Sequence, residues 1–451
     1  MRFESFAHLL SHYTNITPDA AALIYESGEK KICTFRQLNE LVNKRAEELR
    51  KSGKSCLGIL SDGSFDCVVS IFAANLAGLQ LVMLDANSTT DVLGMLIEYT
   101  DVDLLWGDEE LKSELTGHLT DGVKNGKGKL LFFTSGTTDK TKAVVLTDRS
   151  LMNSAYNGYS MLPLSQNDIL MCMLPLNHVF GFVCGLLWGL SSGACVALGR
   201  GARHYADDCT FFHPTVLSAV PMLLGMLVRY NFLNPELRIV LVGAGNCPEQ
   251  LLQAVSASGI RVCFGYGLTE TSSGVAISVR GNPYALEICP DDEITLADDG
   301  EILIKSTTCM MEGYYKHPED TKNVLQDGIL YTGDIGRFDS KGRLYITGRK
   351  KEMLVLEDGT KIFLPEYEGK IAALLGNPEI AVVLRNGRLI LIIFENKNEK
   401  PAILQKLKAL METLPRGQQL NDIEFTNAPL PRTATGKIQR YILGGENNDK
   451  G

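Results

Sequence analysis

Short apolar runs that stop at glycine, separated by amphipathic stretches, constrain this chain more than any other feature. TVLSAV, RIVLVGAG and IRVCFGYG, within residues 215–267, read as buried strands, the last two ending at glycines. Nearer the start, CLGIL, FDCVVSIFAANLAG and LQLVML read as strand, helix and strand. Phe35 to Lys51 places Leu38, Leu41, Val42, Ala46 and Leu49 at helical spacing, with charges opposite. Alternation of this kind predicts parallel sheets covered by helices, an α/β fold. Ligands of such sheets sit beyond the carboxyl ends of the strands, where these glycines fall.

From Glu293 the texture changes to short β segments: EITLA, a DDG turn, EILIKS and GRLYITG. After Arg349 a smaller unit follows, with strands IAVVLR and LILIIFE and an amphipathic helix from Ala402 to Leu414. Residues 348–451 carry a net charge of +3 and the remainder −12, within −9 for the whole chain of 451 residues. That shift suggests domains at 1–347 and 348–451. A basic small lobe beside an acidic large one suits a lid over phosphates, and plain solvated charge explains it equally well.

The net acidity argues against a general nucleic-acid binder. Eleven cysteines without a Cys-x-x-Cys pair indicate neither a zinc site nor a redox dithiol, and read as reduced core thiols. The first residues, MRFESFAHLL, do not form a secretory signal. Ile169 to Gly199 lacks Asp, Glu, Lys and Arg and is long enough to span a membrane, yet Pro175, Asn177, His178 and recurrent glycines break it. It reads as protein core, so no transmembrane segment and a cytoplasmic location are expected.

KLLFFTSGTTDKTKAVVL carries the most chemistry. An apolar strand runs into Thr134-Ser135-Gly136-Thr137-Thr138, followed by Lys140 and Lys142. Backbone N–H groups, hydroxyls and lysines together can cradle a polyphosphate. The Walker pattern fails, because Thr141 stands at its second glycine and Ala143 at its Ser/Thr. A polar turn is the plain alternative.

TSGTTxxxK resembles the phosphate loop of the adenylate-forming superfamily, which includes acyl-CoA synthetases, aryl-CoA ligases, luciferases and peptide-synthetase adenylation domains. Further segments match that family in order: LPLNHVFG (174–181), FGYGLTETS (264–272), YTGDIGRFDSKGRLYITGRKKEML (331–354), EDGTKIFLPEYE (357–368) and PRTATGKIQR (431–440). The resemblance implies a large N-terminal domain of stacked mixed and parallel sheets with a small β-barrel-like part. It also implies a small mobile α+β lid. Asp139, Thr141 and Ala143 depart from the family's glycine, proline and glycine; Asp139 puts a carboxylate near the expected triphosphate.

The implied reaction joins a carboxylate to AMP with loss of pyrophosphate, then passes the acyl group to a thiol. Bringing two anions together demands preorganised positive charge. By resemblance, Thr134, Ser135, Gly136, Thr137, Thr138 and Lys142 hold the β- and γ-phosphates of ATP. Glu270 ligates magnesium and Thr269 touches the α-phosphate. Tyr266, beside Gly267, stacks on adenine, with Gly243, Ala244 and Gly245 along its edge. Asp334 and Arg349 take the ribose, and Lys437 spans carboxylate and α-phosphate. Lys351 is the hinge, Gly359 and Lys361 form the thioester loop, and His178 is the gate of the acyl site. Alone, each has a plainer reading: Tyr266 and His178 as core, Glu270 as helix-end charge, Asp334 and Lys351 in turns, Lys437 as a solvated lysine.

HVFGF and the segment from Gly348 to Glu368 look most like fatty acyl-CoA synthetases, so a fatty or other hydrophobic carboxylic acid, ligated to coenzyme A, is expected. A carrier protein's phosphopantetheine presents the same thiol and stays open as the acceptor. A nucleotide- or acyl-binding protein with a decayed phosphate loop is the non-enzyme alternative.

Overall fold

The computed structural model describes residues 1–451 apart from 124–125, 127, 135–141, 246, 356–360, 396–399, 432–437, 439, 441 and 445–451, with backbone alone at 351, 355, 361 and 366. A nine-stranded sheet runs Glu287–Ile288, Ser273–Ile277, Arg261–Leu268, Ile239–Val242, Val216–Ala219, Ile169–Cys172, Cys195–Leu198, Ala21–Glu26, Lys30–Thr34. From Arg261–Leu268 to Ala21–Glu26 every neighbour is parallel, with antiparallel strands at both edges. A second, six-stranded sheet runs Gly313–Tyr314, Ala143–Thr147, Lys129–Phe133, Gln80–Asp85, Cys56–Ser61, Leu104–Trp106.

The glycine-ended runs are strands because they are apolar on both faces and find cover on both. Cys56–Ser61 is buried throughout its length. Helix Phe35–Lys51 starts at a capping box between Thr34 and Gln37 and buries Phe35, Leu38, Val42 and Ala46. The main core joins the two sheets through aromatic contacts: Phe6 lies 4.9 Å from Phe72, and Phe182 lies 5.7 Å from Phe132, centroid to centroid. Each of these rings is fully buried, which stabilises the fold by roughly 1.5–3 kcal/mol apiece.

The charge-free stretch is core, as its breakers predict. It forms strand Ile169–Cys172, the short helix Val179–Phe182, a π-helical turn Val183–Leu187, helix Trp188–Ser191 and strand Cys195–Leu198. Among the described residues no helix is long and apolar enough to cross a membrane. The eleven cysteines are free; ten are buried and Cys184 is half-buried.

The short β segments form a five-stranded antiparallel sheet of Asp292–Leu296, Glu301–Ser306, Ile329–Phe338, Leu325–Gln326 and Leu344–Arg349. The border read at 347/348 falls inside the last of these strands, which continues to Arg349 because that residue pairs with Asp334. Beyond the turn Lys350–Glu352 the chain builds a separate α+β unit. Strands Ile380–Arg385, Arg388–Phe394 and Asp422–Thr426 pack with helices Leu364–Leu375 and Lys400–Thr413 around Ile371, Val382, Leu391 and Leu407.

Candidate functional site

Strand Arg261–Leu268 carries Tyr266 near its carboxyl end, and strand Ile329–Phe338 carries Asp334 at its middle. The Tyr266 hydroxyl donates to Asp334 Oδ2 at 2.9 Å, and Arg349 Nε lies 2.9 Å from Asp334 Oδ1. Asp334 is buried, as is Tyr266, while Arg349 is half in solvent. Burial, with the Asp334 carboxylate beside it, pushes the Tyr266 phenol far above its ordinary value. Three residues singled out separately in sequence are therefore one cluster. Asp334 thus presents a carboxylate set between a phenol and a guanidinium, an acceptor-only group of the kind that suits a sugar hydroxyl.

Gly267 follows, and a Cβ there would meet the Ser273 carbonyl oxygen at 1.6 Å, so only glycine allows the bulged pairing with Gly274. The chain then turns through Thr269–Thr271, and Ser272 and Ser273 take φ of 54° and 111°. Such strained non-glycine residues concentrate at functional sites. Glu270 sits in this turn. Its Oε1 accepts from the Tyr314 hydroxyl at 2.7 Å, and its carbonyl accepts from Met311 N at 2.8 Å.

The hydroxyl-rich loop is described only at its ends. Thr134 N donates to the Lys142 carbonyl at 3.0 Å, closing the hairpin of Lys129–Phe133 and Ala143–Thr147. Ser135, Gly136, Thr137 and Thr138 lie outside the described residues, with Asp139 and Thr141. Lys142 Nζ lies 2.9 Å from Asp320 Oδ2 and 4.9 Å from the centroid of the Tyr314 ring. The loop's exit and Glu270 thus meet at Tyr314. Neither Tyr314 nor Asp320 was legible as a site residue: they lie far along the chain, in MEGYYKHPED, with no motif of their own.

His178 stands exposed at the start of helix Val179–Phe182, where partial desolvation lowers its pKa against the pull of Asp85. Two residues on, the Phe180 ring packs against Gly243 so closely that a Cβ there would sit 2.8 Å from it. Gly243 ends strand Ile239–Val242, and Ala244 takes φ of 60° beside exposed Gly245. His178, Phe180 and the Gly243-Ala244-Gly245 turn therefore belong to one end of the nine-stranded sheet.

Lys351 lies in the turn Lys350–Glu352 and Lys361 opens strand Lys361–Phe363; Gly359 and Lys437 lie outside the described residues. Lys350 is fastened to the large unit, its Nζ 2.7 Å from Asp299 and 2.9 Å from Glu301.

The donors suit the expected ligands. Among the described residues no group of three His, Cys, Asp or Glu side chains could hold a metal ion. Magnesium needs no such cage, because it is commonly held by one or two carboxylates with substrate phosphates completing the shell. Glu270 is a hard oxygen donor already oriented through one oxygen, and fits that role.

A sequence model described as AMP-binding enzyme matches residues 10–130 and 127–315. A 2-succinylbenzoate–CoA ligase of Oceanobacillus iheyensis is 27% identical over 490 aligned positions, covering 98% of this chain and 99% of the relative. One from Bacillus cytotoxicus is 29% identical over 408 positions, covering 81% and 82%. The fold is similar to O-succinylbenzoate coenzyme A synthetase from Bacillus subtilis bound to AMP, with a TM-score of 0.83, 23% identity, and 97% and 98% of the two chains covered. An anthranilate–CoA ligase bound to anthranoyl-AMP superposes with a TM-score of 0.82 at 20% identity, covering 98% and 97%.

Proposed function

Because the chain belongs to the AMP-binding enzyme family, the adenylate-forming superfamily that its ordered motifs resemble, we propose that it is an ATP-dependent acid–thiol ligase acting on a compact aromatic acid and coenzyme A. The observation that carries this reading is the joining of Tyr266, Asp334 and Arg349 into one hydrogen-bonded cluster beside the turn that presents Glu270. A nucleoside's base, sugar and phosphate are bound by those residue types, and here they occur together.

The roles follow from that placement. Asp334 accepts from the ribose, and Arg349 balances its buried charge. Tyr266 stands against the base, and Gly243 leaves room for backbone approach. Thr269 and Lys142, with Thr134, Ser135, Gly136, Thr137 and Thr138, face the phosphates. Glu270 would hold magnesium, which would supply positive charge to offset that of the phosphates. Lys437 steadies the charge that develops as carboxylate oxygen attacks the α-phosphorus and pyrophosphate leaves. Lys351 is the pivot that brings Gly359 and Lys361 in for attack by the thiol.

The substrate reading differs from the fatty acid suggested by the apolar gate segment. The relatives cited above are named for 2-succinylbenzoate and anthranilate, both aromatic acids. Phe180 packs its ring against Gly243 at the end of strand Ile239–Val242, so this part of the apolar segment is packed against the sheet. The test is pyrophosphate release over a panel of 2-succinylbenzoate, anthranilate, benzoate, octanoate and palmitate, with and without coenzyme A. Turnover of an aromatic acid that yields its CoA thioester supports the proposal. Preference for palmitate overturns the substrate class, adenylate without thioester points to a carrier-protein acceptor, and no release with any acid favours a binding protein.

A further inference from the structure

Tyr314 connects two parts of the site that the sequence places far apart. Strand Gly313–Tyr314 pairs with Ala143–Thr147, Tyr314 opposite Val144, which sets Tyr314 beside the exit of the hydroxyl-rich loop. From there its hydroxyl donates to Glu270 Oε1 at 2.7 Å, and its ring lies 4.9 Å under Lys142 Nζ. The backbone just before it is tied to the Glu270 turn and to strand Ala143–Thr147. Met311 N donates to the Glu270 carbonyl at 2.8 Å, and Glu312 N donates to the Val145 carbonyl at 2.9 Å. The Tyr314 amide itself donates to Thr321 Oγ1 at 2.8 Å, which fixes the backbone from which the ring projects.

Building on the ligase reading, we infer that Tyr314 is the positioning residue of the magnesium–triphosphate site, aiming the Glu270 carboxylate through its hydroxyl and Lys142 through its ring face. The two tasks use different parts of one side chain. The hydroxyl occupies a lone pair of Oε1 and leaves the other carboxylate oxygen turned as a hard donor. The ring face attracts the ammonium by its quadrupole, and Asp320, 2.9 Å from Lys142, completes the seat. Because metal and triphosphate bind as one unit, an error of aim at Glu270 is felt as a higher demand for magnesium.

This division makes the inference separable from a merely structural role. Tyr314→Phe keeps the ring under Lys142 and deletes only the hydroxyl; Tyr314→Leu deletes both. Binding of mant-labelled ATP to the full chain is titrated with magnesium chloride. Tyr314→Phe is expected to raise the half-saturating magnesium concentration roughly 5–10-fold, while affinity at saturating magnesium stays within about twofold. Tyr314→Leu is expected to raise the magnesium requirement equally and also to weaken binding at saturating magnesium by about 10-fold. An unchanged magnesium requirement in Tyr314→Phe overturns the inference, as does an equal loss in both variants at every magnesium concentration. If the unsubstituted protein shows no magnesium-dependent binding of the labelled ATP, the ligase reading itself falls.

Discussion

The Tyr266 hydroxyl and the Asp334 carboxylate, 68 residues apart in sequence, share a 2.9 Å hydrogen bond inside the protein. That bond ties the last parallel strand of the nine-stranded sheet to the antiparallel sheet, so the candidate nucleotide site straddles two substructures. Arg349, opposite Asp334 in the register, closes the cluster and is the last residue before the second lobe's turn.

Substitutions at this cluster should separate charge from positioning. Tyr266→Phe removes one hydrogen bond to a buried carboxylate, so a stability loss of about 1.5–3 kcal/mol is expected in urea unfolding. Asp334→Asn should raise the KM for ATP at least 10-fold, because an amide is a weaker acceptor for ribose hydroxyls and cannot balance Arg349. Equal ATP kinetics in Asp334→Asn and the parent would remove Asp334 from the site.

A second buried acid should make stability depend on pH. Burial pushes Asp292 up to about 6, against the hydrogen bonds from Ser306 and Asn157. Asn157 Nδ2 donates to Asp292 Oδ2 at 2.8 Å, while Asp292 Oδ1 and Asn157 Oδ1 are both buried without a partner among the described residues. The folded protein therefore holds a proton that the unfolded chain releases near 3.8, and folding takes up a proton between those values. Stability should fall as pH rises from about 4 to about 6, by on the order of 2–3 kcal/mol, and level off above. Asp292→Asn should flatten that window, which chemical unfolding at stepped pH measures.

How much of this was legible depends on the kind of signal. The parallel sheets were, since a strand such as Ile239–Val242, apolar on both faces, has few other places to go. The helix Phe35–Lys51 was legible to its ends because Thr34 and Gln37 form a capping box there. Asp334 and Tyr266 could be named one by one, but not their bond, which depends on how two sheets pack. Tyr314 was invisible because its role rests on a two-residue strand, whose pairing no periodicity announces. Phe180 stands in the apolar segment after His178, but its packing against Gly243 is a tertiary fact that composition does not announce.

The contact between lobes rests on Gly348. A Cβ at this residue would stand 1.8 Å from the Phe363 ring, so the second lobe's strand Lys361–Phe363 lies directly on the end of the large unit. Gly348→Ala must displace that ring, and Phe363→Ala should relieve the clash. The expectation is non-additivity: Gly348→Ala in the Phe363→Ala background should cost at least 1 kcal/mol less than alone, by denaturant unfolding of all four proteins. Additive effects would place Phe363 away from Gly348.

The final prediction concerns Lys437 and the arm that carries it. Lys437 lies outside the described residues, but Arg440 close behind it is anchored, with Nη2 2.6 Å from Glu368 Oε2. Glu368 belongs to helix Leu364–Leu375 and also accepts from Val382 N at 2.7 Å, so the arm is fastened to the second lobe's core. Burial raises the Glu368 pKa, and the Arg440 guanidinium opposes that rise, which leaves the pair dependent on a single charged contact. If Lys437 supplies transition-state charge in adenylation, Lys437→Ala should slow adenylate formation by ~10²–10⁴-fold. If the lobes turn between the two half-reactions, thioester formation from supplied acyl-adenylate should largely survive. Arg440→Ala acts only through placement of the arm, so its loss in adenylation should be smaller and should fall in kcat rather than in the KM for ATP. Single-turnover yields of adenylate and thioester, measured in the same preparations, decide the matter. Equal loss of both half-reactions in Lys437→Ala would show that this lysine serves the fold or both steps, and not adenylation alone.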